Sequence, residues 1–292
     1  FGIVLACAAA FLMALGLGFS WEELELAICE RLGRLSSTML IMWLIGMLLG
    51  AMLYSGLLPM LVYYGFELID PRYLYLGAFL ACTIMSTMTG SSWSAAGTAG
   101  VVCMALAHGH GVDMGIMGGA VVAGSVFGDK ISPMSETTNL APACAGTDLW
   151  SHIRSQLWTT IPAWVMGAAL FLVLGLDLGT GAGELPETAV VIMEQLDALF
   201  AWSPLLLLPI VVLLGLALLK KPVVPTMLIS SLLCVFLGWW IQGFDISIGF
   251  NAVITGFTAD SIVPAGFALD DTVAYILNRG GMTSMVSIIL IC

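Results

Sequence analysis

The stretch Gly128–Leu149, GDKISPMSETTNLAPACAGTDL, decides how this chain is read. It packs Asp129, Glu136 and Lys130, two prolines (Pro133 and Pro142) and a run of Ser, Thr and Asn between strongly apolar runs. A lipid-facing helix cannot hold this cargo. Charged side chains at membrane depth are costly and face a protein interior or a water-filled cavity, where they handle ions or protons. The prolines lack the amide donor, which predicts an interrupted helix with free carbonyl oxygens.

The surroundings are those of a membrane protein. The chain has 292 residues, of which 60% are hydrophobic and 9% charged, and its mean hydropathy is +1.05. Soluble domains carry about 25% charged residues, and no stretch of even ~50 residues here is polar enough to fold alone in water. The fold class is therefore an all-α polytopic membrane protein. The net charge of −11 is mostly loop charge, and eight Lys plus Arg without a basic cluster exclude a nucleic-acid surface. The enzyme signatures G-x-S-x-G and H-E-x-x-H are missing, so the chain is not read as an enzyme, and no cofactor is expected. Seven Cys without a C-x-x-C read as small buried hydrophobes. His108 and His110 lie in an HGHG turn, read as solvated or interfacial in preference to metal-binding, and His152 lies far along the chain.

Apolar runs at about 1–19, 38–58, 73–88, 157–176, 204–219 and 222–241 are long enough to span, or nearly so. Two shorter ones, about 93–107 and 114–128, are rich in small residues. Leading into and overlapping the first of these is TGSSWSAAGTAG (89–100), too hydrophilic for lipid and read as the tip of a re-entrant hairpin; a turn in an extramembrane loop is the alternative. Ala120, Gly124 and Gly128, with Gly115, Gly119 and Ala123 one row over, predict a helix packed closely on its neighbours, as does Gly46-x-x-x-Gly50. Arg154 and Lys220–Lys221 flank an acidic connection (177–203) that lacks Lys and Arg, which places the basic ends in the cytoplasm and the connection outside.

An echo links 12–32 to 233–257: an apolar helix, then Gly-Phe, then an amphipathic segment. It suggests paired repeats, as in many secondary transporters. The expected organisation is a first repeat over 1–176, with the hairpin at about 89–108 and the broken ion-site segment at about 128–142. The acidic extracytoplasmic connection follows, and 204–292 opens a second, incomplete repeat. The chain starts at Phe1 without a signal peptide's basic region, and its last apolar run, 282–292, would reach only ~17 Å as a helix. It is expected to be a fragment.

Cation–proton exchange needs a carboxylate that holds either a proton or a cation. Low dielectric raises a carboxyl pKa toward neutrality, where the two compete. A hard cation also needs several oxygen ligands. The broken segment offers Asp129, Ser132, Ser135, Glu136, Thr137, Thr138 and Asn139; the hairpin offers Thr89, Ser91, Ser92, Ser94 and Thr98. Lys130 either pairs with a carboxylate as a charge partner or snorkels to the interface. Thr147 or Asp148 reads as the cap of the helix that follows.

GSSWSAAGTAG, the block FGDKISPMSETTNLAPACAGTDLWSHIRSQLWTTIPAW and NRGGMTSM near the end resemble the NhaC family of sodium/proton antiporters, within the wider ion-transporter superfamily. The resemblance covers nearly the whole chain. It implies a multi-pass protein of a bacterial or archaeal cytoplasmic membrane that exchanges Na⁺ for H⁺, with inverted repeats and a re-entrant hairpin in each. The family's hairpin signature falls on Thr89, Gly90, Ser91, Ser92, Trp93, Gly97 and Thr98. Its second signature runs from Gly128 and Asp129 through Pro142, with Asp usual where this chain has Glu136. That departure makes 136 less secure than 129 as a direct ligand. Organic-acid exchange of the malate/lactate type is the alternative within the family, with Lys130 or Arg154 facing the cavity. Sodium ions, protons and the lipid bilayer are the expected partners, and a homodimer is left open.

Overall fold

The computed structural model describes residues 2–132, 135–176, 178, 187–219, 221–264 and 266–286. Among them every regular element is helical. Helix α1 (Gly2–Gly16) ends in a turn at Gly18, whose φ of 93° is accessible to glycine. Ser20 then opens α2 (Trp21–Tyr54) with a capping box: Ser20 Oγ accepts from the Glu23 amide at 3.3 Å, and the Glu23 carboxylate accepts from the Ser20 amide at 2.8 Å. Gly56, at φ 81°, ends α2 and turns the chain 70° into α3 (Leu57–Leu68).

Next come α4 (Leu74–Thr89), the short α5 (Ser92–Ala95) with a π-helical turn over Ala96–Gly100, and α6 (Val101–Gly109). Helices α7 (Met114–Ile131), α8 (Glu136–Ala145) and α9 (Leu149–Leu176) follow. The remainder forms α10 (Glu187–Leu199), α11 (Leu208–Leu218), α12 (Val223–Leu237, continued by a π turn to Gln242), α13 (Ile246–Ile254) and α14 (Asp271–Leu277). Three of the described helices are long and apolar enough to cross a membrane, or up to five if the bent pairs 39–68 and 187–216 each count as one span. On α9 only Ile153, Phe171 and Gly175 are buried, while Trp158, Val165, Met166 and Val173 face outward, as a lipid-contacting helix requires.

Small residues set the closest contacts. Gly124 and Gly128 lay α7 against the backbone of α4: a Cβ at 128 would sit 2.6 Å from Ser86 Cβ and 2.7 Å from Thr83 O. Gly46 and Gly50 bring α2 against Gly280–Gly281 and Ala252, and the Gly281 amide donates to Gly46 O at 2.7 Å. Both rows therefore act as packing surfaces. The second row on α7 does not: Gly115, Gly119 and Ala123 point outward, and a Cβ on Gly119 would meet nothing within 4 Å.

Other expectations are corrected by local physics. The apolar run 38–58 is the inner part of a 34-residue helix, because the charged stretch 22–34 is itself helical and properly capped. The helices in runs 1–19 and 73–88 have 15 and 16 residues and fall short of a full span. The polar stretch 89–100, expected as the tip of a re-entrant hairpin, is largely helical. Only Gly90 (φ 70°) and Ser91 break the helix; from Ser92 the chain winds again, helped by the helix-forming alanines 95, 96 and 99. The acidic connection becomes a packed helix from Glu187, since Ala189, Ile192 and Leu196 share one buried face. His110 is buried against Phe66, ring centroids 5.0 Å apart, and not solvated. Of the described cysteines, Cys82, Cys103 and Cys234 are buried but Cys7 and Cys29 are exposed.

The internal echo has a structural counterpart. Gly18 and Gly243 both take a positive φ, 93° and 71°; Phe19 and Phe244 follow; and Ser20 and Asp245 both cap a new helix.

Candidate functional site

The site is built where α7 stops. Asp113 starts this helix, its carboxylate accepting from the amides of Gly115 and Ile116 at 2.8 and 2.9 Å. The helix ends at Ile131, because Ser132 precedes Pro133 and the residue before a proline is driven out of the helical region; Ser132 sits at φ −72°, ψ 125°. Ser135 then caps α8, its Oγ accepting from the Thr138 amide at 3.4 Å. Pro142 lies inside α8 and has no amide for the carbonyl of Thr138, four residues before it. The break leaves Asp129 in the last turn of α7, half-buried.

Two hydroxyls hold the Asp129 carboxylate. Ser135 Oγ donates to Oδ1 at 2.5 Å and Ser92 Oγ donates to Oδ2 at 3.0 Å. Ser92 is the first helical residue after the Gly90–Ser91 break, so α5 and the end of α7 meet on one carboxylate. Hydrogen bonds to a charged group are worth about 1.5–3 kcal/mol each. Thr137 Oγ1 lies 2.8 Å from Ser135 Oγ. Since Ser135 gives its proton to Asp129, Thr137 must be the donor in that pair. Ser135 Oγ therefore donates once and accepts twice, which fills its capacity.

Thr138 does different work. Its Oγ1 shares its one proton between the carbonyls of Asp129 (2.8 Å) and Lys130 (3.0 Å), orphan acceptors at the end of α7, and so stitches α8 to it. Beneath the site, α4 is pinned to α7 by a bond from Ser86 Oγ to Ser125 O and to α9 by Trp164 Nε1 donating to Thr83 Oγ1 at 3.2 Å.

The structure thus brings Asp129, Ser92, Ser135, Thr137 and Thr138 together. Ser91 and Thr98 are spent locally: Ser91 Oγ caps the Ser94 amide at 3.3 Å, and Thr98 Oγ1 donates to Ser94 O at 2.6 Å inside the π turn. Ser132 is fully buried in the break. Lys130 and Arg154 are both exposed. The side chains of Thr89, Glu136 and Asn139 lie outside the described residues. Asp148 caps α9, accepting from the Ser151 amide at 3.0 Å. One cavity escaped the sequence reading: it lies between the segments that follow α13 and α14, lined by Leu49, Thr255, Thr258, Asn278, Arg279 and Met285. The signal was the Gly280–Gly281 pair after Asn-Arg.

The profile of the Na⁺/H⁺ antiporter family matches residues 124–292, more than half of the chain. The chain belongs to the Na⁺/H⁺ antiporter family. Its members are transporters and not enzymes, and the apolar helices make this chain a multi-pass membrane protein. Among relatives in the family, an uncharacterized Na⁺/H⁺ antiporter of Haemophilus influenzae is 37% identical over 94% of this chain. The Na⁺/H⁺ antiporter NhaC of Alkalihalophilus pseudofirmus is 34% identical over 97% of it. A malate-2H⁺/Na⁺-lactate antiporter of Bacillus subtilis is 33% identical over 97%. The chain spans 58%, 59% and 58% of those three proteins respectively. No solved structure matches it.

Proposed function

We propose that this chain forms part of a secondary transporter that exchanges Na⁺ for H⁺ across the cytoplasmic membrane of a bacterium or archaeon, with Asp129 as the carboxylate that holds each in turn. One observation carries the reading: Ser92 from the hairpin and Ser135 from the broken helix both donate to Asp129, each to its own oxygen. A carboxylate presents about four lone-pair sites. Two are taken, and two remain for a cation or a proton.

The sodium-loaded form uses the carboxylate and the acceptor side of Ser92 Oγ and Thr137. Ser135, with its capacity filled, orients the carboxylate and does not ligate. Thr138 positions the end of α7. Protonation fills one of the two open lone-pair sites and removes the negative charge that attracts sodium. Proton and sodium thus exclude each other at one group.

In everted membrane vesicles of the natural protein, Asp129→Asn is expected to abolish sodium-driven proton movement while membrane insertion persists. Wild-type exchange in that variant would remove Asp129 from the mechanism.

A further inference from the structure

We propose that the apolar cavity bounded by α2, α3, α4 and α11 binds one acyl chain of a membrane lipid. The cavity has a volume of about 290 Å³. That is close to twice the ~150 Å³ of an apolar cavity that holds benzene. Leu48 and Met52 of α2, Leu57 of α3, Met85 of α4 and Leu213 of α11 form its buried wall. None of its lining residues is charged or takes part in the Asp129 cluster, so the inference stands apart from the exchange reading.

The interior suits hydrocarbon and nothing more polar. Two hydroxyls line it, and both have spent their protons on the backbone: Thr98 Oγ1 donates to Ser94 O at 2.6 Å, and Ser230 Oγ donates to Pro209 O at 3.2 Å. A polar occupant would find no side-chain donor there, and a water would lack the several polar partners it needs. Leaving the bilayer core for this cavity gains nothing from the hydrophobic effect, because lipid tails are as apolar as the wall. The drive is dispersion: an empty cavity gives its lining atoms no partner on one side, and a chain that fills it restores those contacts. Met52, Met85 and Met88 supply flexible, polarizable thioethers that adapt to a mobile chain.

The mouth decides the occupant. Ala81 and Ile84 on α4 are exposed there, and Leu61, Met88, Ile210 and Leu214 are half-buried around it. Leu208 and Val211 of α11 carry the same apolar surface outward. In a multi-pass membrane protein that surface meets lipid tails, so an acyl chain stands at the mouth and enters without crossing a polar layer. The wall also includes Thr98 and Ala99, in the π turn continuous with α5, and Ser92 of α5 donates to Asp129. A chain in the cavity thus packs on the element that holds the carboxylate.

The test is photolabelling of the natural protein in proteoliposomes that contain a phosphatidylcholine with a diazirine midway along one acyl chain, the adducts being located by mass spectrometry. Adducts are expected on the buried wall, at Leu48, Met85 or Leu213. They should fall by roughly tenfold in Ala81→Trp, which crowds an indole into the mouth, while labelling of the outward-facing Trp158 and Val165 on α9 is unchanged. Adducts confined to outward-facing side chains of the wild type, the result if another part of the natural protein or a second copy fills the cavity, would overturn the proposal. Buried-wall adducts undiminished in Ala81→Trp would overturn it too. Should Ala81→Trp fail to insert, Leu214→Trp on the α11 rim takes its place and the same outcomes decide.

Discussion

Replacing Gly128 with Ala puts a methyl group where α4 already stands. The new Cβ would lie 2.6 Å from Ser86 Cβ and 2.7 Å from Thr83 O, and against the Thr87 amide nitrogen, whereas ordinary contact begins near 3.4 Å. The atoms opposing it include backbone inside a helix, which cannot step aside. The helices must separate by about 0.8 Å, the gap between 2.6 and 3.4 Å. Overpacking of this kind costs about 1–3 kcal/mol. Asp129 is the next residue, so the same displacement opens its 3.0 Å bond to Ser92 toward 4 Å, beyond hydrogen-bonding range. Misplacements near 1 Å cost on the order of a hundredfold in rate where geometry is exacting.

Gly128→Ala is therefore expected to lower the thermal midpoint in detergent and to cut sodium-driven proton movement in vesicles by tenfold to about a hundredfold. Gly119→Ala is the control on the same helix. A Cβ there meets nothing within 4 Å, so exchange should persist and stability should hold or rise by up to ~1 kcal/mol. Wild-type exchange and stability in Gly128→Ala would refute the claim that close approach of α4 and α7 sets the site.

The remaining predictions concern single groups. Ser135→Ala removes both a cap and a carboxylate donor, so it should lower stability by about 1 kcal/mol and weaken apparent sodium affinity, while Ser92→Ala should weaken affinity with the fold intact; flux against sodium concentration, read beside thermal melts, separates them. His110 is buried with both ring nitrogens unpartnered among the described residues, and burial holds its pKa below the ordinary imidazole value. The unfolded chain thus binds a proton more readily, and stability should fall as pH drops through ~6.5 and recover above it. His110→Leu should flatten that dependence in pH-resolved melts; an unchanged slope would show that another group is responsible.

Much of the fold was legible because membrane insertion writes long apolar runs into a sequence. The row Ala120–Gly124–Gly128 announced a closely packed helix, and the missing amides of Pro133 and Pro142 announced an interrupted one. Composition did not show that most of the 89–100 stretch is helical, because Ser, Gly and Thr look alike in a loop and in a tightly packed helical start; the neighbours Ile45 and Val121, crowding Gly97 and Gly100, mark the second. The packed helix within the acidic connection was overlooked since its acids dominate the composition while three apolar residues do the packing. At the site, the sequence supplied the oxygen-bearing residues but not their division of labour. That depends on which hydroxyl gives its proton to which acceptor, a property of geometry alone.

The most direct measurement is proton release on sodium binding to the purified natural protein, obtained by calorimetry in two buffers of different ionisation enthalpy. Wild-type protein should release protons as sodium binds, to a lesser extent as pH rises and the site empties of protons, and Asp129→Asn should release none. Undiminished release from Asp129→Asn would contradict the account.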